Sequence, residues 1–170
     1  MACRNSKQFP GSMETLAPWF ELRLGSGCPL CAPRPRINEF SYYVCTLTVS
    51  SLYIARDQTY RGTCALVYDP AHVSRPSELD EVSWRQFSAD MWSAESAVSR
   101  AFHPDHVNVA CLGNTVPHLH AGIFPRYRSD PRWGHPIWTG QRDSSDRAFA
   151  SDEACEELAR LLRENMSNAS

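Results

Sequence analysis

The stretch T-V-P-H-L-H-A-G-I-F-P-R-Y, Thr115 to Tyr127, sets two histidines on alternate residues and then a glycine where a third polar side chain would follow. Read as a β-strand, Val116 to Phe124 puts His118, His120 and Gly122 on one face and Leu119, Ala121 and Ile123 on the other, because strand side chains alternate. The first face is polar and the second belongs to a core. Two strand rises separate the imidazoles by about 7 Å at Cα. A neutral imidazole can attack phosphorus near neutral pH, and the phosphoramidate it forms is labile enough to be passed on. The same H-x-H pattern also suits histidines that serve only a half-buried strand.

Upstream, V-N-V-A-C-L (Val107–Leu112) is a second short strand, joined to the first by the Gly113-Asn114 turn signal. Between Pro76 and Pro104 the period becomes helical, with Leu79, Val82, Phe87, Met91, Ala94, Val98 and Phe102 forming one apolar face and Ser77 available as N-cap. Further upstream, S-Y-Y-V-C-T-L-T-V from Ser41, S-L-Y-I-A from Ser51 and T-C-A-L-V-Y from Thr63 read as an antiparallel meander. Downstream, Arg126 to Asp146 is aperiodic and rich in Pro, Gly and Arg, a loop beside the site. D-E-A-C-E-E-L-A-R-L-L-R-E-N then predicts a short terminal helix with Cys155, Leu158, Leu161 and Leu162 inward. The predicted fold class is α+β: an antiparallel β-sheet packed against one long helix, with a short C-terminal helix.

A chain of 170 residues fits one domain with a sizeable core. We expect residues 18–166 to form it and residues 1–17 to be a flexible leader, with Met13 as an alternative start to Met1. Seventeen basic against nineteen acidic residues give a net charge of −2, which argues against a polynucleotide partner. There is no apolar run of membrane-spanning length and no apolar signal core, so the expected location is cytoplasmic, with no membrane partner.

Of seven cysteines, only Cys28 and Cys31 cluster, as C-P-L-C in a Gly- and Pro-rich turn. Two thiolates at this spacing can form half of a tetrahedral zinc site; a redox pair or two buried thiols would read the same. His72, just after a strand, and His118 are the candidates for the second half. Closure by two Cys and two His would make the zinc structural, since no position is left for water.

G-N-T-V-P-H-L-H-A-G-I-F-P-R-Y followed by D-P-R-W-G-H-P-I-W resembles the histidine triad superfamily, whose signature is His-φ-His-φ-His-φ-φ with φ apolar. One bacterial branch continues as Pro-Arg-Tyr and ends near Pro-Ile-Trp. The resemblance extends upstream through C-P-L-C, R-D-Q-T-Y-R-G-T-C-A-L-V and the helix, roughly Pro18 to Trp138. It implies a homodimer and chemistry at the α-phosphorus of a nucleotide, attacked by the middle histidine, which is His120 here. In zinc-containing relatives the ligands fall at positions matching Cys28, Cys31, His72 and His118. Asn114 matches an amide placed near the phosphate or leaving group, and Asp57, Gln58 and Arg61 match a ribose- and phosphate-contacting loop. Each also reads as an ordinary turn or surface residue. Arg126 could make a charge-assisted phosphate contact or simply be solvated.

The departure is Gly122, at the place of the third histidine. That side chain donates to phosphate oxygen in most relatives, and losing one such donor typically costs about 10²–10³ in rate. With Ala121 beside it, where close bacterial relatives tend to carry a bulky aromatic, Gly122 suggests a pocket enlarged for a different substrate group; relief of overpacking or drift would leave the same trace. The leading expectation is a nucleotidyl hydrolase or transferase. The rivals are a divergent enzyme acting on another phosphorylated or nucleoside-like metabolite, and a non-catalytic nucleotide-binding protein.

Overall fold

The computed structural model describes residues 16–130, 132–137 and 147–167. The first fifteen residues of the expected leader, including Met13, lie outside them, as do Trp138 at the end of the quoted motif and much of the following loop. The elements in chain order are α1 (Trp19–Arg23), β1 (Ser41–Thr46), β2 (Ser50–Ala55), β3 (Cys64–Tyr68), α2 (Glu81–Phe102), β4 (His106–Ala110), β5 (His120–Arg126) and α3 (Asp152–Ser167). The fold is α+β, as the periodicities predict. No described helix is long and apolar enough to cross a membrane.

All strand pairs are antiparallel, in the order β1-β2-β3-β5-β4. The meander β1 to β3 forms as expected, and β5 then inserts between β3 and β4. Along β5 the alternation holds: Ala121, Ile123 and Pro125 are buried, whereas His120, Gly122 and Phe124 are only half-buried. Leu52, Ile54, Cys64, Leu66, Ala121 and Ile123 meet Phe87, Ala94, Val98 and Phe102 of α2 and Cys155, Leu158 and Leu162 of α3 in one core. The Tyr68 and Phe87 rings meet edge to face at 5.7 Å. The other face of the sheet is covered at the β1–β2 side by the segment after Cys31. There Arg34 stacks on Tyr53 and pairs with Asp69, and Arg36 stacks on Tyr43. At β5 that face stays half open.

Several boundaries differ from the sequence expectation. The long helix starts at Glu81 rather than after Ser77, because Pro76–Glu78 forms a separate 3₁₀ turn and Asp80, not Ser77, caps it by accepting from the Ser83 amide at 2.8 Å. Val82 therefore lies outside the buried stripe and is 66% exposed. Asp90 takes a core position instead, where its carboxylate accepts from the amides of Thr48 and Val49 and fixes the turn between β1 and β2. The Gly113-Asn114 signal does not form a two-residue hairpin. β4 ends at Ala110 and β5 begins at His120, so nine residues connect them and His118 precedes the strand.

Arg126 has a different role from the phosphate contact weighed above. Its residue is only 4% exposed, and its guanidinium donates to Asp130, Asn108 and the carbonyls of Arg132 and His135 while lying over the Tyr60 ring. All three nitrogens of the planar fork are used to hold the loop after β5 against the sheet. Removing one partner of a buried ion pair typically costs about 3–5 kcal/mol. Asp130→Ala should therefore lower the unfolding free energy from urea titration by an amount in that range, with a correspondingly lower midpoint, and Arg126→Lys should destabilise too, because one ammonium cannot reach four acceptors. An Asp130→Ala midpoint equal to wild type would show that the clamp contributes nothing.

Candidate active site and metal centre

The site is assembled at the end of the sheet where β5 begins. After α1 the chain turns through Gly25, at φ +86°, and a Cβ there would stand 3.4 Å from the His72 ring. Glycine suits the left-handed turn there, which brings the backbone up against His72. The next turn is closed by the Cys31 and Ala32 amides, both donating to the Cys28 carbonyl at 3.2 and 3.3 Å. It presents both sulfurs to His72, which follows β3, and to His118, which precedes β5.

The four ligand atoms of Cys28, Cys31, His72 and His118 lie within 4.8 Å of one another, a group that could hold a metal ion. Nδ1 of His118 is 3.6 Å from Sγ of Cys28 and 3.4 Å from Sγ of Cys31, and Nδ1 of His72 is 3.2 Å from Sγ of Cys31. Each imidazole turns its other nitrogen to a backbone carbonyl. His118 Nε2 donates to Tyr68 O at 2.7 Å, and His72 Nε2 donates to Arg23 O at 3.3 Å. Those bonds fix the tautomer in which Nδ1 carries the lone pair and faces the sulfurs. Burial is the main cause holding His118 below the ordinary imidazole pKa, with positive charge from His72, Arg34 and His120 acting the same way and the Tyr68 bond opposing. A cavity of about 480 Å³ lies beside the cluster, lined by Arg34, Tyr53, Asp69, His72 and His118 among others.

The next residue on the path is His120. Its Nδ1 donates to the carbonyl oxygen of His118 at 2.6 Å. A carbonyl only accepts, so the proton sits on Nδ1 and the lone pair on Nε2. His118 and His120 are therefore not equivalent imidazoles on one face. His118 is buried with its ring among the sulfurs, whereas His120 is half-exposed on the open face of β5. Asn114 is exposed in the connection between β4 and β5, which reaches β5 at the same end.

Gly122 does not enlarge a pocket. A Cβ built on it would lie 2.4 Å from both Cε2 and Cζ of Phe124, so the ring of Phe124 occupies the volume a side chain at 122 would need. Ala121 does not line the site either, because it is fully buried on the core face. Phe124 was legible as sharing the face of His120 and Gly122 by period two, but its bend back over Gly122 was not.

Asp57, Gln58 and Arg61 are not brought to the histidines. They form the turn before β3, at the opposite end of the strand pair in which Val67 faces His120 and Cys64 faces Ile123. Six strand steps from His120 to Arg126 span about 20 Å. Gln58 spends its amide inside the turn, donating to Ala55 O and Thr63 O and accepting from the Gly62 amide. Asp57 accepts from Thr59 and pairs with Arg147. Arg61 is exposed and stacks on Phe102. The sequence position of this loop gave no sign that its polar groups are consumed locally.

No protein-family model matches the chain, and no curated protein matches it. Solved structures do. A histidine triad protein from Sinorhizobium meliloti 1021 has a TM-score of 0.69 at 20% identity, covering 82% of this chain and 99% of that one. A zinc-bound histidine triad family protein from Mycobacterium smegmatis has a TM-score of 0.53 at 19% identity, covering 74% and 83%. Plasmodium falciparum diadenosine triphosphate hydrolase has a TM-score of 0.52 at 17% identity, covering 82% and 90%. At these identities the likeness is one of fold, and it joins the sheet order and the histidines at the start of β5 in one conclusion: this chain has the histidine triad fold.

Proposed function

We propose that the protein cleaves or transfers a nucleotidyl group through a covalent intermediate on His120, with a structural zinc held by Cys28, Cys31, His72 and His118. The observation that carries this reading is the bond from His120 Nδ1 to His118 O, which leaves the Nε2 lone pair directed away from the backbone on an open sheet face. A nucleophile oriented by a hydrogen bond on its far nitrogen is the usual arrangement for imidazole catalysis. Nε2 would attack the α-phosphorus, forming a P–N bond as the bond to the leaving group breaks. The leaving group keeps the electron pair and takes a proton from water. Water then attacks phosphorus, the P–N bond breaks, and its proton goes to solvent, restoring neutral His120. Another hydroxyl in place of water makes the same step a transfer.

Zinc fits the donor set. With bonds of about 2.3 Å to sulfur and 2.05 Å to nitrogen, a tetrahedron has S···N edges of about 3.6 Å, close to the 3.2–3.6 Å separations here. Zinc in a site of four protein ligands supplies rigidity rather than an activated water. It would hold His118, and hence the carbonyl that orients His120. The likeness to a zinc-bound histidine triad protein supports the metal, and the likeness to a diadenosine triphosphate hydrolase supports the reaction class. Gly122 favours a second reading, binding without turnover, because it supplies no donor for phosphate oxygen.

Protein purified without added zinc should contain about one equivalent by plasma emission, and Cys28→Ser with Cys31→Ser should remove it and lower Tm. Full retention of metal in the double variant would exclude this site.

In a panel of dinucleoside polyphosphates and nucleoside phosphoramidates, His120→Ala should reduce kcat by at least about 10³-fold. Wild-type protein quenched during turnover should carry a nucleotidyl mass on the peptide containing His120. Binding without turnover, unaltered in His120→Ala, would establish the second reading instead.

A further inference from the structure

Phe124 lies on the open face of β5 two residues beyond Gly122, and the outer edge of its ring covers Gly122 closely enough to exclude even a methyl group. The two positions are linked, because a side chain at 122 would force the ring out of this orientation. The result is an apolar aromatic surface about two strand steps, or roughly 7 Å, from His120 along the strand. Beyond it on the same face comes Arg126, which is buried and commits four of its five donors to Asp130, Asn108 and two carbonyls. Beside the nucleophile, β5 therefore offers a half-buried aromatic ring rather than a donor for a charged oxygen. Burying an anionic oxygen against it would leave that oxygen without a partner, at considerable cost.

We propose that Phe124 is the specificity-determining floor of the site, on which the base of the transferred nucleotidyl group stacks. This rests on the nucleotidyl reading above and deepens it. In-line attack by Nε2 sends the leaving group away from β5, along the extension of the N–P axis. The group that stays on phosphorus lies to the side of that axis, a disposition that lets it run along β5 toward Phe124. Lying low against Gly122, the Phe124 ring is beneath that retained group, at a separation comparable to the reach of a ribose from its 5′ phosphorus to its base. Any base presents a π-face, so stacking selects nucleotides over other phosphate esters without strongly distinguishing among bases. Gly122 is then the residue that makes room for the floor.

The test compares AMP, UMP and ribose 5-phosphate, which share the phosphoryl ribose and differ in having a base, by calorimetric binding to wild type and variants. Wild type should bind both nucleotides at least about tenfold more tightly than ribose 5-phosphate, Phe124→Ala should reduce that ratio to near one, and Phe124→Tyr should keep it. The pairing is read separately by thermal melts. Gly122→Ala should lower Tm by about 5 °C or more in the wild-type background and markedly less in Phe124→Ala, where the clash is gone. A nucleotide preference that survives Phe124→Ala overturns the floor, as does wild type that binds AMP and UMP no better than ribose 5-phosphate or binds none of the three. Equal Tm losses in both backgrounds overturn it too. If the preference is present and lost in Phe124→Ala while no nucleotide derivative turns over, the floor stands and the covalent reading falls.

Discussion

Much of the site hangs on one residue used twice. The ring of His118 sits among two sulfurs and His72, and its carbonyl, a few bonds away, receives the Nδ1 proton of His120. Anything that holds the ring in place also holds the carbonyl, and with it the direction of the Nε2 lone pair. The ring is held by a bond to Tyr68 O at the end of β3 and by burial. The orientation of His120 is thus coupled to the sheet through β3 and to the N-terminal Cys turn through the cluster. A side chain alone on an open face would have several rotamers, and here one is selected by backbone.

The same economy governs the neighbouring position. A glycine in the middle of a strand costs stability and offers no side chain to pack. At Gly122 the loss is offset because Phe124 folds back over the bare backbone and shields it. The open face then changes chemical character within a few ångströms, from an imidazole lone pair to a benzene ring. The bare backbone at Gly122 therefore does not leave a hole, since close-packed proteins fill such space from the nearest residue able to reach it.

Polar residues that look available in a sequence can be consumed by the fold. Arg126 is a guanidinium in a motif beside the histidines, yet its partners are the loop that follows it. Gln58 satisfies its own turn. In both cases a buried or constrained backbone needed donors and acceptors, and the side chain best placed to supply them was the nearest in sequence. Conversely, Asp90 carries no functional signal in the sequence, yet it takes a core-facing helical position to satisfy the turn between β1 and β2.

Local pattern determined a good deal. Period two in Ala121–Pro125, the helical period through Phe87, Ala94, Val98 and Phe102, and the β-rich runs before them are properties of adjacent residues, and they carried the α+β architecture. The Cys28–Cys31 spacing, His72 after a strand and His118 in the histidine motif likewise pointed to the four residues whose ligand atoms lie within 4.8 Å of one another, because metal chelation restricts residue types strongly. Only the tertiary structure decided what depends on several segments meeting. It put β5 between β3 and β4, turned His118 out of the strand and into the cluster, left His120 oriented by a carbonyl, laid Phe124 over Gly122 and closed Arg126 into its loop. The physical reason is that a side chain's direction and free hydrogen-bonding capacity are set by neighbours distant in sequence, and no local period encodes them.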